Sequence, residues 1–234
     1  MDPIPGPTNS TRTDGTAEST DRVRGVSTGT TTVGLAGANG VVLAADARAS
    51  LGGRFVTSRS MQKVEPVGDR TAVAFAGGVG GAQAFVRTLR AERQLYELRH
   101  DRPPSTQTLA SVAADRCRAG QFPSVWLLLG GLDDEPAVCE IDPAGGVMAT
   151  TYAAGGSGMQ LAYGALERSF EPERTVETLQ STAADALEAA TERDAASGDG
   201  MCLATITADG LTVDTYDALG SGAVATTTTN EEVA

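Results

Sequence analysis

The order in which the apolar spacing changes period constrains this chain more than any other feature of its sequence. From residue 30 it reads strands, two helices, strands, two helices, strands. The runs Thr30–Leu35 and Gly40–Ala45 are β-rich and split by Ala38-Asn39-Gly40, a hairpin signal. Further strands are expected near Phe55–Thr57, Lys63–Val67 and Thr71–Ala76. Then Ala82, Phe85, Val86, Leu89, Leu95 and Tyr96 follow helical spacing up to Pro103-Pro104, and Ser105 can cap a second helix running to about Cys117. Strands at Ser124–Leu129, Ala137–Ile141 and Val147–Tyr152 precede helices at Gly158–Phe170 and Thr175–Arg193. Strands at Met201–Thr207 and Leu211–Thr215 complete the pattern. A doubly wound sheet would alternate strand and helix. This order instead predicts an α+β fold, a four-layer αββα sandwich of two antiparallel sheets between helical layers.

The two ends have a different texture. Residues 1–29 are rich in Thr, Ser, Gly, Pro and charge, with hardly any large apolar residue, so this leader is expected to be disordered. A single domain is expected over 30–219. The stretch 220–234, with Thr226–Thr229 and Glu231-Glu232, is expected to be a disordered tail.

Composition narrows the chemistry. A formal net charge of −12 argues against nucleic acid or an anionic membrane as partner. No apolar run approaches the ~18 residues of a membrane span, and the leader lacks the apolar stretch of a signal peptide. Cys117, Cys139 and Cys202 lie far apart; with His100 the single histidine, there is no zinc set, and buried thiols in a reduced, intracellular setting are expected. Any Ser-His-Asp or Cys-His device would need His100, which sits in the charged helix-end stretch Arg99-His100-Asp101-Arg102-Pro103. No phosphate-cradling Gly-x-x-x-x-Gly-Lys exists, and Gly77-Gly78-Val79-Gly80-Gly81 is followed by Gln83 where a dinucleotide loop needs its third glycine.

A hydroxyl nucleophile without histidine needs another base, and one solution is the α-amine of an N-terminal threonine. Such an amine ordinarily titrates near ~7.7–8.0, so part of it is unprotonated at neutral pH. A nearby cation favours the neutral amine further, and lysine suits that task as a compact ammonium on a flexible stem. Of 18 basic residues only Lys63 is lysine. The plain alternative is a surface lysine without a task. The acid-rich, lysine-poor composition suits a concentrated-salt cytoplasm; a GC-rich coding bias would favour arginine equally.

Gly29-Thr30-Thr31-Thr32-Val33-Gly34 resembles the processing site and mature N-terminus of archaeal proteasome β subunits, with a composition pointing to a haloarchaeal member. The resemblance continues through Ala45-Asp46-Ala47-Arg48, Gln62-Lys63-Val64, Ala76-Gly77, Leu129-Gly130-Gly131 and Ile141-Asp142-Pro143-Ala144-Gly145. It closes with Gly156-Ser157-Gly158 and Glu192-Arg193-Asp194-Ala195-Ala196-Ser197-Gly198, and spans roughly residues 28 to 215. It implies the N-terminal nucleophile hydrolase fold and a threonine-type endopeptidase that needs no cofactor or metal. A propeptide, residues 1–29, would be removed by cleavage between Gly29 and Thr30. Thr30 would supply nucleophile and base, Lys63 would tune the amine, and Asp46 would pair with Lys63. Ser157, Asp194 and Ser197 would orient the amine and its water, and Gly77, entering the first helix, would donate to the oxyanion. Taken alone, Asp46 also reads as a strand end, Ser157 as a loop serine, and Asp194 as the start of a turn with Gly198. A carboxylate at a helix end would also want a cationic partner. The primary substrate pocket would be lined by Ala49, Ser50, Met61, Phe75 and Val79, with Phe75 shortening it.

The resemblance also implies a cytoplasmic particle of stacked seven-membered β rings flanked by α-type subunits. Unfolded polypeptides would reach it through the α ring from an ATP-dependent unfoldase. Two departures stand out. The family's Gly-Ser-Gly-Ser is here Gly156-Ser157-Gly158-Met159, and the loop through Leu51-Gly52-Gly53-Arg54 is slightly longer. The rival readings are a catalytically silent β-type subunit, the related bacterial-type threonine peptidase, and a non-catalytic binding domain that keeps residues 1–29.

Overall fold

Small and β-branched residues fill the expected strands. In the computed structural model, which describes residues 27–122, 124–223 and 225–230, those strands pair in antiparallel ladders. The chain opens with β1 (Ser27–Thr28), β2 (Thr31–Ala36) and β3 (Gly40–Asp46). A small hairpin of β4 (Ala49–Leu51) and β5 (Phe55–Ser58) follows, then β6 (Val64–Gly68) and β7 (Thr71–Gly78). Next come helices α1 (Val79–His100) and α2 (Thr106–Arg118). Ser105 caps α2, its Oγ accepting from the Thr108 N–H at 3.2 Å. Strands β8 (Val125–Leu132), β9 (Pro136–Ile141), β10 (Val147–Thr150) and β11 (Tyr152–Gly156) lead to helices α3 (Met159–Ser169) and α4 (Val176–Thr191). Strands β12 (Met201–Thr207), β13 (Gly210–Tyr216) and β14 (Ala225–Asn230) come last.

One sheet has the order β1-β7-β8-β9-β10, with β6 on the same edge of β7 as β1; the other runs β11-β2-β3-β12-β13-β14. Helices α1 and α2 cover the first sheet over Phe75, Phe85, Leu89, Leu109 and Leu127. Helices α3 and α4 cover the second over Val33, Leu35, Leu166, Leu179 and Leu187. Between the sheets lie Val41, Leu43, Leu128, Val138 and Ile206. The expected αββα order is the one found. Both faces of β2 and β3 are covered, which is why neither alternates with polar residues.

Four local expectations are corrected. The single strand expected over 147–152 breaks at Thr151 into β10 and β11, which belong to different sheets. The Thr150 hydroxyl drives the break: it donates to the Tyr152 carbonyl at 2.8 Å, an alternative to the ladder. Gly77 lies in β7 rather than at the helix start, because its φ of +122° and the Ser124 carbonyl oxygen, 1.8 Å from where a Cβ would stand, suit only glycine in the strand. The tail is not wholly without structure. Ala225–Asn230 pairs with β13, since the branched Thr226–Thr229 run finds an open strand edge, while 231–234 lie outside the described residues. In the leader, 1–26 lie outside the described residues, and Ser27–Thr28 pairs with Gly77–Gly78 as β1.

Contact between the sheets depends on a size match. Leu43 projects from β3 into space that Gly34 on β2 and Gly130 on β8 leave free; a Cβ on either would meet its side chain at 3.0 Å. Neither glycine can fill a hole there. Leu43→Ala is therefore expected to cost about 2–5 kcal/mol, near the top of that range, as a lower denaturant midpoint at unchanged slope.

Candidate active site

The chain passes from one sheet to the other between Gly29 and Thr30, and this crossing sets Thr30 at the sandwich's edge, fully buried. Three segments converge on it. β3 ends in Asp46, Lys63 stands just before β6, and the stretch after α4 supplies Asp194 to Asp199. The Lys63 backbone is pinned on both sides, its N–H on the Cys202 sulfur at 3.3 Å and its carbonyl on the Phe75 N–H at 3.1 Å.

The side chains of Lys63 and Asp46 have no exposed surface. Lys63 Nζ donates to Asp46 Oδ1 at 3.0 Å and to Thr30 Oγ1 at 3.0 Å. The other Asp46 bonds come from backbone: Thr31 N–H to Oδ1 at 2.9 Å, with Gly198 N–H at 2.9 Å and Arg48 N–H at 3.1 Å to Oδ2. Burial pushes the Lys63 ammonium below the ordinary lysine range, and the Asp46 carboxylate opposes that shift. Burial likewise raises the Asp46 carboxyl, against the Lys63 charge and the N–H groups of Thr31 and Gly198. Four donors favour the Asp46 anion against its burial, and Lys63 is the member of the pair whose polar atom reaches the Thr30 hydroxyl.

A second network holds the Thr30 nitrogen. Thr30 N–H donates to Ser157 Oγ at 3.1 Å, and Ser157 Oγ donates to Asp194 Oδ2 at 2.6 Å. Ser197 Oγ donates to the same Oδ2 at 2.7 Å and lies 2.9 Å from Thr31 Oγ1. Each serine has one proton, so Ser157 must accept from Thr30 and give to Asp194. Among the described residues, the hydrogen-bond partners of Asp194 are hydroxyls and the Ala196 N–H at 3.1 Å rather than the cation its place after a helix suggests. It also makes the turn expected of it, its carbonyl accepting from Ser197 N–H at 3.1 Å.

Thr30 Oγ1 donates to the Gly29 carbonyl oxygen at 2.8 Å. A Cβ on Gly29 would lie 1.9 Å from the Ala196 Cβ, so no side chain fits before Thr30. Beside Gly29 opens a cleft of about 640 Å³, walled by Ala76, Gly77, Trp126, Ser157 and Met159 among others. The expected pocket residues lie elsewhere. Ala49 and Ser50 are buried in β4, Met61 packs beside the buried Phe75 against α1 and α2, and Val79 opens α1 half-buried. Sequence reasoning missed Thr31, Arg48 and Gly198 as Asp46 partners, because a backbone donor leaves no signature in residue type.

Arg48 does more than donate its N–H. Its guanidinium bonds Asp199 at 2.6 Å and the Ala195 carbonyl at 2.8 Å, and Arg59 also pairs with Asp199. This clamp holds the 194–199 loop against β3, and Arg48 keeps the Asp199 carboxyl below its ordinary range. Asp199→Asn keeps the left-handed backbone (φ 69°) but removes the charge. It is expected to lower stability by about 1 kcal/mol, read from denaturant midpoints, with a smaller loss in molar salt. Burial also pushes the Cys202 thiol up to about 11, and raises Cys117 and Cys139. A disulfide reagent at pH 8 should therefore titrate none of the three thiols in the native protein and all three in denaturant.

Comparison with known proteins adds the family. The model of the proteasome subunit family matches residues 26–206. The proteasome subunit beta of Halorhabdus utahensis is 50% identical over 193 residues, 82% of each chain. The proteasome subunit beta 2 of Haloterrigena turkmenica is 50% identical over 191 residues, 81% of each chain. The proteasome subunit beta 1 of Haloarcula marismortui is 48% identical over 191 residues, 81% of this chain and 80% of that one.

Proposed function

This chain belongs to the proteasome subunit family, with haloarchaeal β-type relatives, and on that premise we propose that it is a threonine-type endopeptidase that frees its own nucleophile. The observation that carries the proposal is the Thr30 hydroxyl held between Lys63 Nζ and the carbonyl oxygen of the residue before it. In the precursor the Thr30 nitrogen is an amide and cannot serve as base. Lys63, its charge disfavoured by burial, takes the hydroxyl proton as Oγ1 attacks the Gly29 carbonyl carbon. The C–N bond breaks, the proton passes to the departing nitrogen, and an ester links Gly29 to Thr30 Oγ1. Water cleaves that ester, returning the hydroxyl and releasing residues 1–29 with a new carboxylate.

The freed amine then acts on substrates. It ordinarily titrates near ~7.7–8.0, and Lys63, when it carries its charge beside Asp46, favours the neutral form of the amine. Ser157, fixed by Asp194, orients it by accepting one N–H, and Ser197 braces Asp194 from the far side. The Thr30 hydroxyl attacks a peptide carbonyl, the proton goes to the leaving amine, and water resolves the acyl-enzyme. Gly77 N–H, in the wall of the cleft, is the donor we assign to the oxyanion. The acyl half of a substrate would follow the course of residues 27–29 along β7, its first side chain directed toward Ala49, Ser50, Met61, Phe75 and Val79. Assembly into stacked seven-membered rings with α-type subunits, in the cytoplasm and fed unfolded polypeptide by an ATP-dependent unfoldase, belongs to the same proposal.

The test is the intact mass of the chain after assembly with matching α-type subunits at high salt. Wild type is expected to begin at Thr30, and Thr30→Ala to keep residues 1–29. Lys63→Ala should slow processing at least a hundredfold, the scale of a lost general base. A leader kept by wild type in assembled particles would turn the conclusion to a silent structural subunit.

A further inference from the structure

We propose that the cleft beside Gly29 is a subsite for the leaving half of the substrate and takes a large apolar or aromatic side chain just after the scissile bond. The proposal rests on Thr30 as nucleophile and adds a specificity that the catalytic groups do not provide.

The register of β7 gives the cleft its direction. Thr28 stands opposite Gly77 on one edge of β7, and on the other edge β8 sets Val125 opposite Gly77 and Trp126 opposite Ala76. The precursor's acyl side therefore runs along one edge, and Trp126 lies across the strand from it. A substrate whose scissile carbonyl takes the place of Gly29 cannot continue along the chain's own course, because Thr30, Thr31 and Thr32 are buried there as part of the protein. The cleft opens at Gly29, and Ala76, Gly77, Trp126 and Met159 are among the residues that line it.

The walls define what fits. Trp126 is 41% exposed while its neighbours Val125 and Leu127 are buried, so a large aromatic surface is left uncovered inside a concavity. Met159, first residue of α3, packs partly against the α3–α4 core and turns the rest of its surface to the cleft. Among the described residues, none that lines the cleft carries a charge. About 640 Å³ falls within the range of sites that take a small ligand, and exceeds what one side chain needs. An indole face prefers offset or edge-on rings, and a thioether adapts to varied apolar shapes while favouring aromatic edges. The site thus accepts Phe, Tyr, Leu and Met, and disfavours Asp, Glu and Gly. Met159, where the family pattern has serine, becomes a specificity residue in this chain.

The experiment uses the assembled particle and internally quenched peptides identical except for the residue after the cleaved bond, Phe or Leu against Asp or Gly. The readout is the ratio of kcat/KM values within one preparation, in which any inactive fraction cancels. Wild type is expected to favour the apolar peptides about tenfold, the scale on which an apolar pocket discriminates. Trp126→Ala should bring the ratio to about twofold or less, Trp126→Phe should largely keep it, and Met159→Ser should fall between. Wild type that cleaves all peptides at equal rates, or a ratio unmoved in Trp126→Ala, overturns the subsite and leaves the peptidase reading intact. Wild type that cleaves none, and also fails to release a fluorophore joined directly through the scissile bond with no residue beyond it, overturns both.

Discussion

A buried charge pair organises this molecule. Lys63 and Asp46 lie 3.0 Å apart with neither side chain exposed. Taking two ions from water costs several kcal/mol each, and their attraction offsets this only when their remaining bonds are made. Asp46 therefore needs its three backbone donors, and those come from Thr31, Arg48 and Gly198 on segments far apart in the chain. Satisfying one carboxylate thus fixes the start of β2, the turn after β3 and the loop after α4 together. The same requirement sets Lys63 Nζ against Thr30, so the pair's structural demand and its chemical use are one arrangement.

Around that pair the sandwich supplies two kinds of edge. Inside, small residues let the sheets approach, with Leu43 seated over Gly34 and Gly130. At the rim, β7 offers one edge to β1 and the other to β8, which divides the approach to Thr30 into two sides. Gly29 and Gly77 are required there by close contacts with Ala196 and the Ser124 carbonyl. The Arg48–Asp199–Arg59 clamp lies outside the reacting groups and holds the loop that carries Asp194 and Ser197. Its strength depends on salt, whereas the fully buried pair is screened far less.

Much of this was legible in the sequence, for reasons that differ by residue. The helices and most strands follow from spacing, because period is a local property of the chain. Lys63 stood out by composition alone. Thr30, Asp46, Ser157, Asp194 and Ser197 came from a resemblance, and the structure brings all five together with Lys63. Ala49, Ser50, Met61, Phe75 and Val79, expected around the primary pocket, do not line the cleft beside Gly29, and Phe75 packs in the α1–α2 core. The break at Thr151 and the pairing of Ala225–Asn230 also escaped, because a hydroxyl's choice of partner and an open strand edge exist only once neighbours are in place.

The sequence by itself determined the layer order, singled out Lys63 as the one lysine among 18 basic residues, and left His100 as the only histidine. Those follow from residue type and from spacings of a few positions. Tertiary structure alone decided which backbone N–H groups hold Asp46, that Ser157 and Ser197 meet on one oxygen of Asp194, and that Trp126 and Met159 line one cleft. Each joins residues that only the chain's path through both sheets brings together, and no local spacing records that path.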